Sequence, residues 1–233
     1  TSYWLDDLPQ TSGVSSDIKN RVDVLVIGSG YTGLNATLEI ARGGRDVMVV
    51  ESGSPGSGCS TRNGGQISTH VKPSLEKLTQ KVGASQASAM RQEGVNALDW
   101  IEELITKEKL DCNFLRAGRF HAAHSGEHYD DIARDAEKLT KYENIPTEIV
   151  PKAEQHKELG TDIYHGGVVF PRHASVHPAK YHRGLLSRVI EAGATVVGYC
   201  EAQHIEKLDK GFRVRTSKGN IDCKDLVVAT NGY

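Results

Sequence analysis

Apolar positions along this chain follow two periods, and the change from one to the other marks out its elements. Residues 22–27 (Val-Asp-Val-Leu-Val-Ile) form a short apolar run of the length expected for a buried strand, and 46–51 form a second one, ending in Glu51. Between them, 33–42 carries helical spacing. Helical spacing returns at Leu75, Leu78 and Val82, and again at Leu98, Ile101, Leu104 and Ile105. Residues 111–124 then read as strands, 126–142 as an amphipathic helix on Ile132, Ala136 and Leu139, and 147–150 as a short strand. A helical turn over 152–159 stops at Gly160, and 163–170 reads as a strand. Pro178 opens a helix over 179–192, its missing N–H being unneeded at the first helical position, and Gly193 closes it. Strands follow at 195–198 and 202–205, then an alternating pair at 211–216 and 220–223, and a buried strand at 225–230. Met90 and Trp100 are expected in the core, and Tyr3 and Trp4 as the anchors of an extended arm, 1–20.

The first junction carries chemistry. Gly28, Gly30 and Gly33 stand in G-x-G-x-x-G spacing between a strand and a helix. Gly28 permits the tight turn, Gly30 admits a pyrophosphate close to the backbone, and Gly33 lets the helix pack on the sheet. Ser29, Tyr31 and Thr32 fill the loop at the helix start, where free N–H groups and the positive dipole end suit phosphate. Glu51, about 20 residues on, is placed to accept the hydroxyls of an adenosine ribose and would repel a 2′-phosphate. NAD or FAD is therefore expected over NADP. A Gly/Ser-rich stretch follows Glu51 and Ser52, where ligands of doubly wound sheets bind, and its composition predicts neither helix nor strand.

Composition removes several function classes. A net charge of -2 over 233 residues gives no electrostatic reason for nucleic acid or an anionic membrane as partner. The longest apolar runs are strand-sized, so no membrane span is expected. The polar N-terminal stretch lacks the order of a secretory signal, which points to the cytoplasm. Cys59, Cys112, Cys200 and Cys223 lie far apart, with neither zinc nor disulfide spacing, and are expected as buried, reduced thiols. His121 and His124, three apart on a strand, should point to opposite faces, so no metal site is expected. His165, His173 and His177 are expected as solvated or structural residues, with a substrate pocket as the alternative.

Asp23 to Gly33, Glu51, and the run Cys59-Ser-Thr-Arg-Asn-Gly-Gly-Gln66 together resemble the FAD-dependent amine and amino-acid oxidoreductases, the superfamily of D-amino-acid oxidase, glycine oxidase and sarcosine oxidase. The Ser-x-Arg-Asn-Gly-Gly-Gln form is most similar to the γ-glutamylputrescine oxidase-like branch. The resemblance implies an α/β fold: a Rossmann-like FAD-binding domain from 21–75 and 165–233, interrupted by an α+β substrate domain over 76–164. It implies that Ser60, Thr61, Arg62, Asn63, Gly64, Gly65 and Gln66 pass along the flavin. Ala202 would meet the adenine through its backbone, and Ala229, Thr230, Asn231 and Gly232 would form a second glycine turn near the cofactor. Gln66 and His70 are the substrate-side candidates, with a structural hydrogen-bonding role in the loop as the alternative for Gln66; no catalytic residue is identified. The reaction implied is oxidation of an amine or amino-acid C–N bond by hydride transfer to flavin N5, followed by hydrolysis of the imine. No histidine stands where some relatives attach FAD covalently, so a dissociable cofactor is expected.

Relatives continue well beyond the equivalent of Tyr233. The chain is therefore expected to be the N-terminal portion of a longer enzyme, unstable or sticky without the remainder. Two other readings stay open: an NAD-dependent dehydrogenase, which Glu51 allows, and a catalytically silent FAD-binding subunit that needs a partner chain for the absent half.

Overall fold

The computed structural model describes residues 3–6, 8, 12–69 and 71–232. In chain order its elements are β1 (Arg21–Ile27), α1 (Tyr31–Arg42), β2 (Val47–Val50), β3 (Gln66–Ile67), α2 (Leu75–Val82), α3 (Ala84–Glu108), β4 (Arg119–Ala122) and α4 (Gly126–Glu143). There follow β5 (Glu148–Pro151), β6 (Gly166–Phe170), β7 (Ala174–Ser175), α5 (Pro178–Glu191), β8 (Thr195–Val197), β9 (Ala202–Lys207), β10 (Phe212–Thr216) and β11 (Gly219–Val228). The chain divides into two compact units, one of Thr1–Gly64, Glu108–Cys112 and His177–Tyr233, the other of Gly65–Lys107 and Asn113–Val176. These limits differ from the boundaries near 75 and 165 suggested by the sequence, because β3 and β7 pair with each other, Gln66 against Ser175 and Ile67 against Ala174.

The first unit is built on a six-stranded sheet in the order β8-β2-β1-β11-β10-β9. Its first four strands run parallel, β2 between β8 and β1, and β1 between β2 and β11. Strands buried on both faces need apolar residues at every position, and period 2 sends alternate ones to opposite sides. Val24, Val26, Val47 and Val49 accordingly pack with Leu34 and Leu38 of α1 and with Leu185, Leu186 and Val189 of α5. Leu25, Ile27, Met48 and Val50 join a second cluster with Val214, Ile221 and Cys223.

The segments read from sequence as strands at 220–223 and 225–230 are one strand. β11 pairs antiparallel with β10 over Gly219–Cys223 and then runs parallel beside β1 to Val228. Lys224 provides no turn chemistry, so the chain continues straight and changes neighbour. The expected arm contains a 3-10 turn, Tyr3–Leu5. Trp4 anchors it: its indole N–H donates to Asn63 O at 2.7 Å and its ring meets His177 edge-on. Tyr3 is 80% exposed and touches Trp4.

In the second unit, β6 is the centre of a three-stranded antiparallel sheet, β4-β6-β5. Ala136 and Leu139 of α4 pack with Val168 and Phe170 of β6 and with Ile145. Only 119–122 of the stretch 111–124 is regular strand; before it, Leu115 makes an isolated bridge to Ser175. Met90 and Trp100, expected in the core, are 39% and 47% exposed on α3. The helix is 25 residues long, and its buried contacts fall to Ala87, Leu98, Leu104 and Ile105 instead.

Candidate functional site

The six-stranded sheet presents a cleft where β1, β2 and β11 end. Gly28 leaves β1 with φ +102, and its N–H still donates to Val50 O at 2.9 Å. A Cβ there would lie 2.6 Å from Ala229 O, so both conformation and space demand glycine. At Gly33, a Cβ would stand 2.0 Å from Gly28 O, which is how the first turn of α1 lies against the loop. Gly30 caps α1 without any side-chain hydrogen bond. Its own N–H has no protein acceptor among the described residues, while the Tyr31 N–H donates to Ser60 Oγ at 3.1 Å.

Glu51 closes the β2 end. Ser29 donates to its Oε2 through both its N–H and its hydroxyl, and Gly53 N–H and Ser52 Oγ donate to Oε1, each at 3.2 Å. Burial opposes ionisation of this carboxyl. The four donors, Ser29 N–H first, outweigh burial and hold it below the usual carboxylate range.

The Gly/Ser stretch is held by its own bonds, and Cys59–Thr61 makes a 3-10 turn that its composition did not suggest. The Thr61 hydroxyl donates to Gly56 O, Asn63 Nδ2 to Ser60 O at 2.9 Å, and Arg62 Nε to Gly58 O at 3.3 Å. The resulting cleft measures about 830 Å³. That lies within the ~300–1,000 Å³ common for cofactor and ligand sites.

Of the residues expected at the cofactor, Gly28, Ser29, Gly30, Tyr31, Thr32, Glu51, Ser52, Ser60, Arg62, Ala202, Ala229, Thr230 and Asn231 line this cleft. Gly33 and Thr61 lie buried, in supporting positions. Asn63 and Gly64 are exposed, and Asn63 ties Trp4 to the loop. Gly232 is exposed at the end of the described chain. Gly65 and Gln66 belong to the second unit, where Gln66 is exposed on β3. His70 lies outside the described residues.

Sequence reasoning missed Gly53, Gly56, Ser57, Gly58, Cys59, Cys200 and Glu201, which also line the cleft. Cys59 is exposed there, against the expectation of burial; the other three cysteines are buried. Also missed was His182 on α5, only 3% exposed, whose Nε2 lies 2.7 Å from Ser29 O. Its place inside an apolar helix face gave no sign that it reaches the glycine loop.

Other histidines have structural partners. His173 is buried against the Phe170 ring and lies 3.3 Å from Thr69 Oγ1, and His177 Nδ1 accepts the Lys180 N–H at the start of α5. His124 sits beyond the end of β4, so the opposite-faces argument does not apply to it, and His124 and His121 both meet His128 of α4. No group of side chains with metal-binding geometry occurs among the described residues. No helix among them is long and apolar enough to cross a membrane.

Residues 23–233 match a family described as FAD dependent oxidoreductase. The chain is 29% identical over 216 residues to the probable oxidoreductase OrdL of Haemophilus influenzae, covering 91% of this chain and 49% of that protein. It is 28% identical over 211 residues to the gamma-glutamylputrescine oxidoreductase of Escherichia coli K12, again covering 91% and 49%. The chain thus spans about half the length of these curated relatives. The crystal structure of glycine oxidase from Geobacillus kaustophilus superposes with a TM-score of 0.75 at 23% identity, covering 91% of this chain and 55% of that one; at this identity the likeness speaks for the fold.

Proposed function

The chain belongs to the FAD dependent oxidoreductase family, and from that premise we propose that the whole protein oxidises the C–N bond of an amine or amino acid. The observation that carries the cofactor's place is the cleft between the uncapped start of α1 at Gly30 and the carboxylate of Glu51 at the end of β2. Those two features suit the two ends of an adenosine diphosphate: helix N–H groups for the pyrophosphate, a carboxylate for the ribose hydroxyls. Bound FAD supplies a two-electron acceptor, which no side chain of this chain provides.

The protein's own part is placement. Gly30 offers its backbone N–H to the phosphates, Gly28 and Ser29 shape the turn that presents it, and Ser60 steadies the first helical N–H. Ala202 and Ala229–Asn231 give a wall on the β9 and β11 side, small enough at both alanines for a flat ring to lie on backbone. Arg62, exposed in the loop, brings positive charge to the cleft. We assign the cofactor as dissociable. Gln66 and His70 remain the substrate-side candidates on motif alone. Residues outside this half-length chain, in the same polypeptide or a complementary one, would complete the substrate side. The relatives' reactions make amines and amino acids the first class to try, the E. coli relative being named for gamma-glutamylputrescine. Four cysteines without disulfide spacing, three of them buried, suit the cytoplasm.

The test is an anaerobic titration of the full-length protein with a panel of amines and amino acids. Loss of the visible flavin absorbance with an amine, accompanied by carbonyl product and ammonia or a released amine, is the expected result. Bleaching by hydroxy compounds but by no amine would contradict the proposal.

A further inference from the structure

The glycine loop is held from beneath by one side chain that its motif does not contain. His182, on α5, lies 153 residues from Ser29 in sequence, and its Nε2 is 2.7 Å from the Ser29 carbonyl oxygen. A carbonyl can only accept, so Nε2 carries the proton. The ring is buried, 3% exposed, and lies close against Gly56. A Cβ built on Gly56 would lie 2.9 Å from Nδ1 and 3.0 Å from Cε1, and Gly56 itself stands at φ +85. On the other side the Tyr31 ring sits 6.3 Å from the imidazole, centre to centre. Glycine at position 56 therefore serves the histidine: any side chain there would displace the ring.

The consequence follows from the peptide plane. In a trans peptide the C=O of one residue and the N–H of the next point in opposite directions. The Ser29–Gly30 bond is not among the cis peptides. Drawing the Ser29 C=O inward to His182 therefore turns the Gly30 N–H outward, and Gly30 lines the cleft with no protein acceptor for that N–H among the described residues. The other peptide of Ser29 is fixed as well, since its N–H donates to Glu51. Both peptides flanking Ser29 are thus oriented by side chains from outside the loop.

We infer that His182 is a positioning residue for the dinucleotide: its Nε2–H locks the Ser29–Gly30 peptide so that the Gly30 N–H is presented to a pyrophosphate. The inference rests on the reading of the cleft as the FAD site. Burial holds the imidazole well below its ordinary pKa; the bond to Ser29 and the charge of Glu51 oppose that shift, and Arg183 adds to it. The ring is consequently neutral near pH 7, and its single proton sits on the nitrogen that faces Ser29.

The experiment compares binding of ADP and adenosine to the full-length apoprotein, wild type against His182→Leu and His182→Gln. Only ADP carries the pyrophosphate. His182→Leu should weaken ADP about tenfold, the value of one net hydrogen bond, and leave adenosine within about twofold. His182→Gln, whose amide can still donate, should recover most of the ADP affinity. In the wild type, nitrogen-15 NMR should find His182 as the Nε2–H tautomer at pH 7. Equal loss of ADP and adenosine, no loss of either, or an Nδ1–H tautomer would overturn the inference while leaving the cofactor site in place. A wild-type protein that binds neither FAD nor ADP would remove the cofactor reading, and this inference with it.

Discussion

Ser29 gives both its backbone N–H, at 2.9 Å, and its hydroxyl, at 2.8 Å, to the same carboxylate oxygen of Glu51. One residue of the glycine loop is thus double-tied to the end of the neighbouring strand, and the loop conformation and the carboxylate position are set together. Replacing Glu51 with Gln keeps the shape but turns one oxygen into an amide donor facing the Ser29 donors. FAD affinity should fall by about 10- to 100-fold, as expected for loss of hydrogen bonds to a charged group. Isothermal titration with FAD checks this; an unchanged affinity would place the ribose elsewhere.

Acid should weaken the same pair. The folded-state pKa of Glu51 is depressed, so its contribution is fully present above the unfolded carboxylate value and is lost as pH falls through the folded one. FAD dissociation followed by fluorescence should therefore steepen below about pH 4. In Glu51→Gln that step should be missing.

His182 acts in a higher window. Its folded pKa is also lowered, but for a histidine this means the unfolded chain takes up the proton first. Stability should decline as pH falls below about 6.5 and level off only at the folded pKa. Denaturant midpoints at pH 7.5 and 5.5 should differ less in His182→Leu than in the wild type. His121 shifts in the same direction, mainly by burial, so the comparison rests on the difference between the two proteins.

Gly33→Ala tests the helix–loop contact. Its Cβ would fall 2.0 Å from Gly28 O, a backbone atom that can yield only by moving the loop. A cost of about 1–3 kcal/mol in thermal or denaturant unfolding is expected, with loss of FAD binding. Gly44→Ala makes a control for space, since nothing lies within 4 Å of a Cβ there, although its φ of +77 adds strain of its own.

The second unit has a stability test independent of any cofactor. Arg91 of α3 and Glu143 of α4 form an ion pair with side chains 6% and 9% exposed, and Arg91 also donates to Val71 O. Removing one partner leaves a buried charge uncompensated, so Glu143→Leu or Arg91→Met alone should destabilise by about 3–5 kcal/mol, and the double replacement Arg91→Met with Glu143→Leu by much less. Urea unfolding of the wild type, Arg91→Met, Glu143→Leu and the double variant completes the cycle; a double-variant loss equal to the sum of the two single losses would show that the pair is not coupled.

The sequence was informative where structure is local. From Val22 to Glu51 strand, glycines, helix, strand and acid are contiguous, and the structure reproduces them in place because each element is specified by its own spacing. It was less informative where partners are distant. β11 looked like two strands because Lys224 and Asp225 interrupt its apolar pattern, while the neighbours that make it continuous, β10 and β1, are set by the fold. Met90 and Trp100 looked like core because size and apolarity were the only cues, whereas the face of α3 that is buried depends on what packs against it. The ribbon of β3 and β7 is two residues wide on each side, too short for any alternation to register. His182 is the plainest case: nothing in Tyr181-His-Arg183 foretells a bond to residue 29, since the fold alone brings them together.

The most direct measurement is a visible spectrum of the purified full-length protein, followed by heat release and identification of the chromophore. Flavin absorption bands and quantitative release of free FAD are expected, with both lost in a Gly30→Glu variant whose side chain would enter the cleft toward Ser60. A protein that stays colourless when FAD is supplied, or whose colour survives Gly30→Glu unchanged, would contradict this expectation.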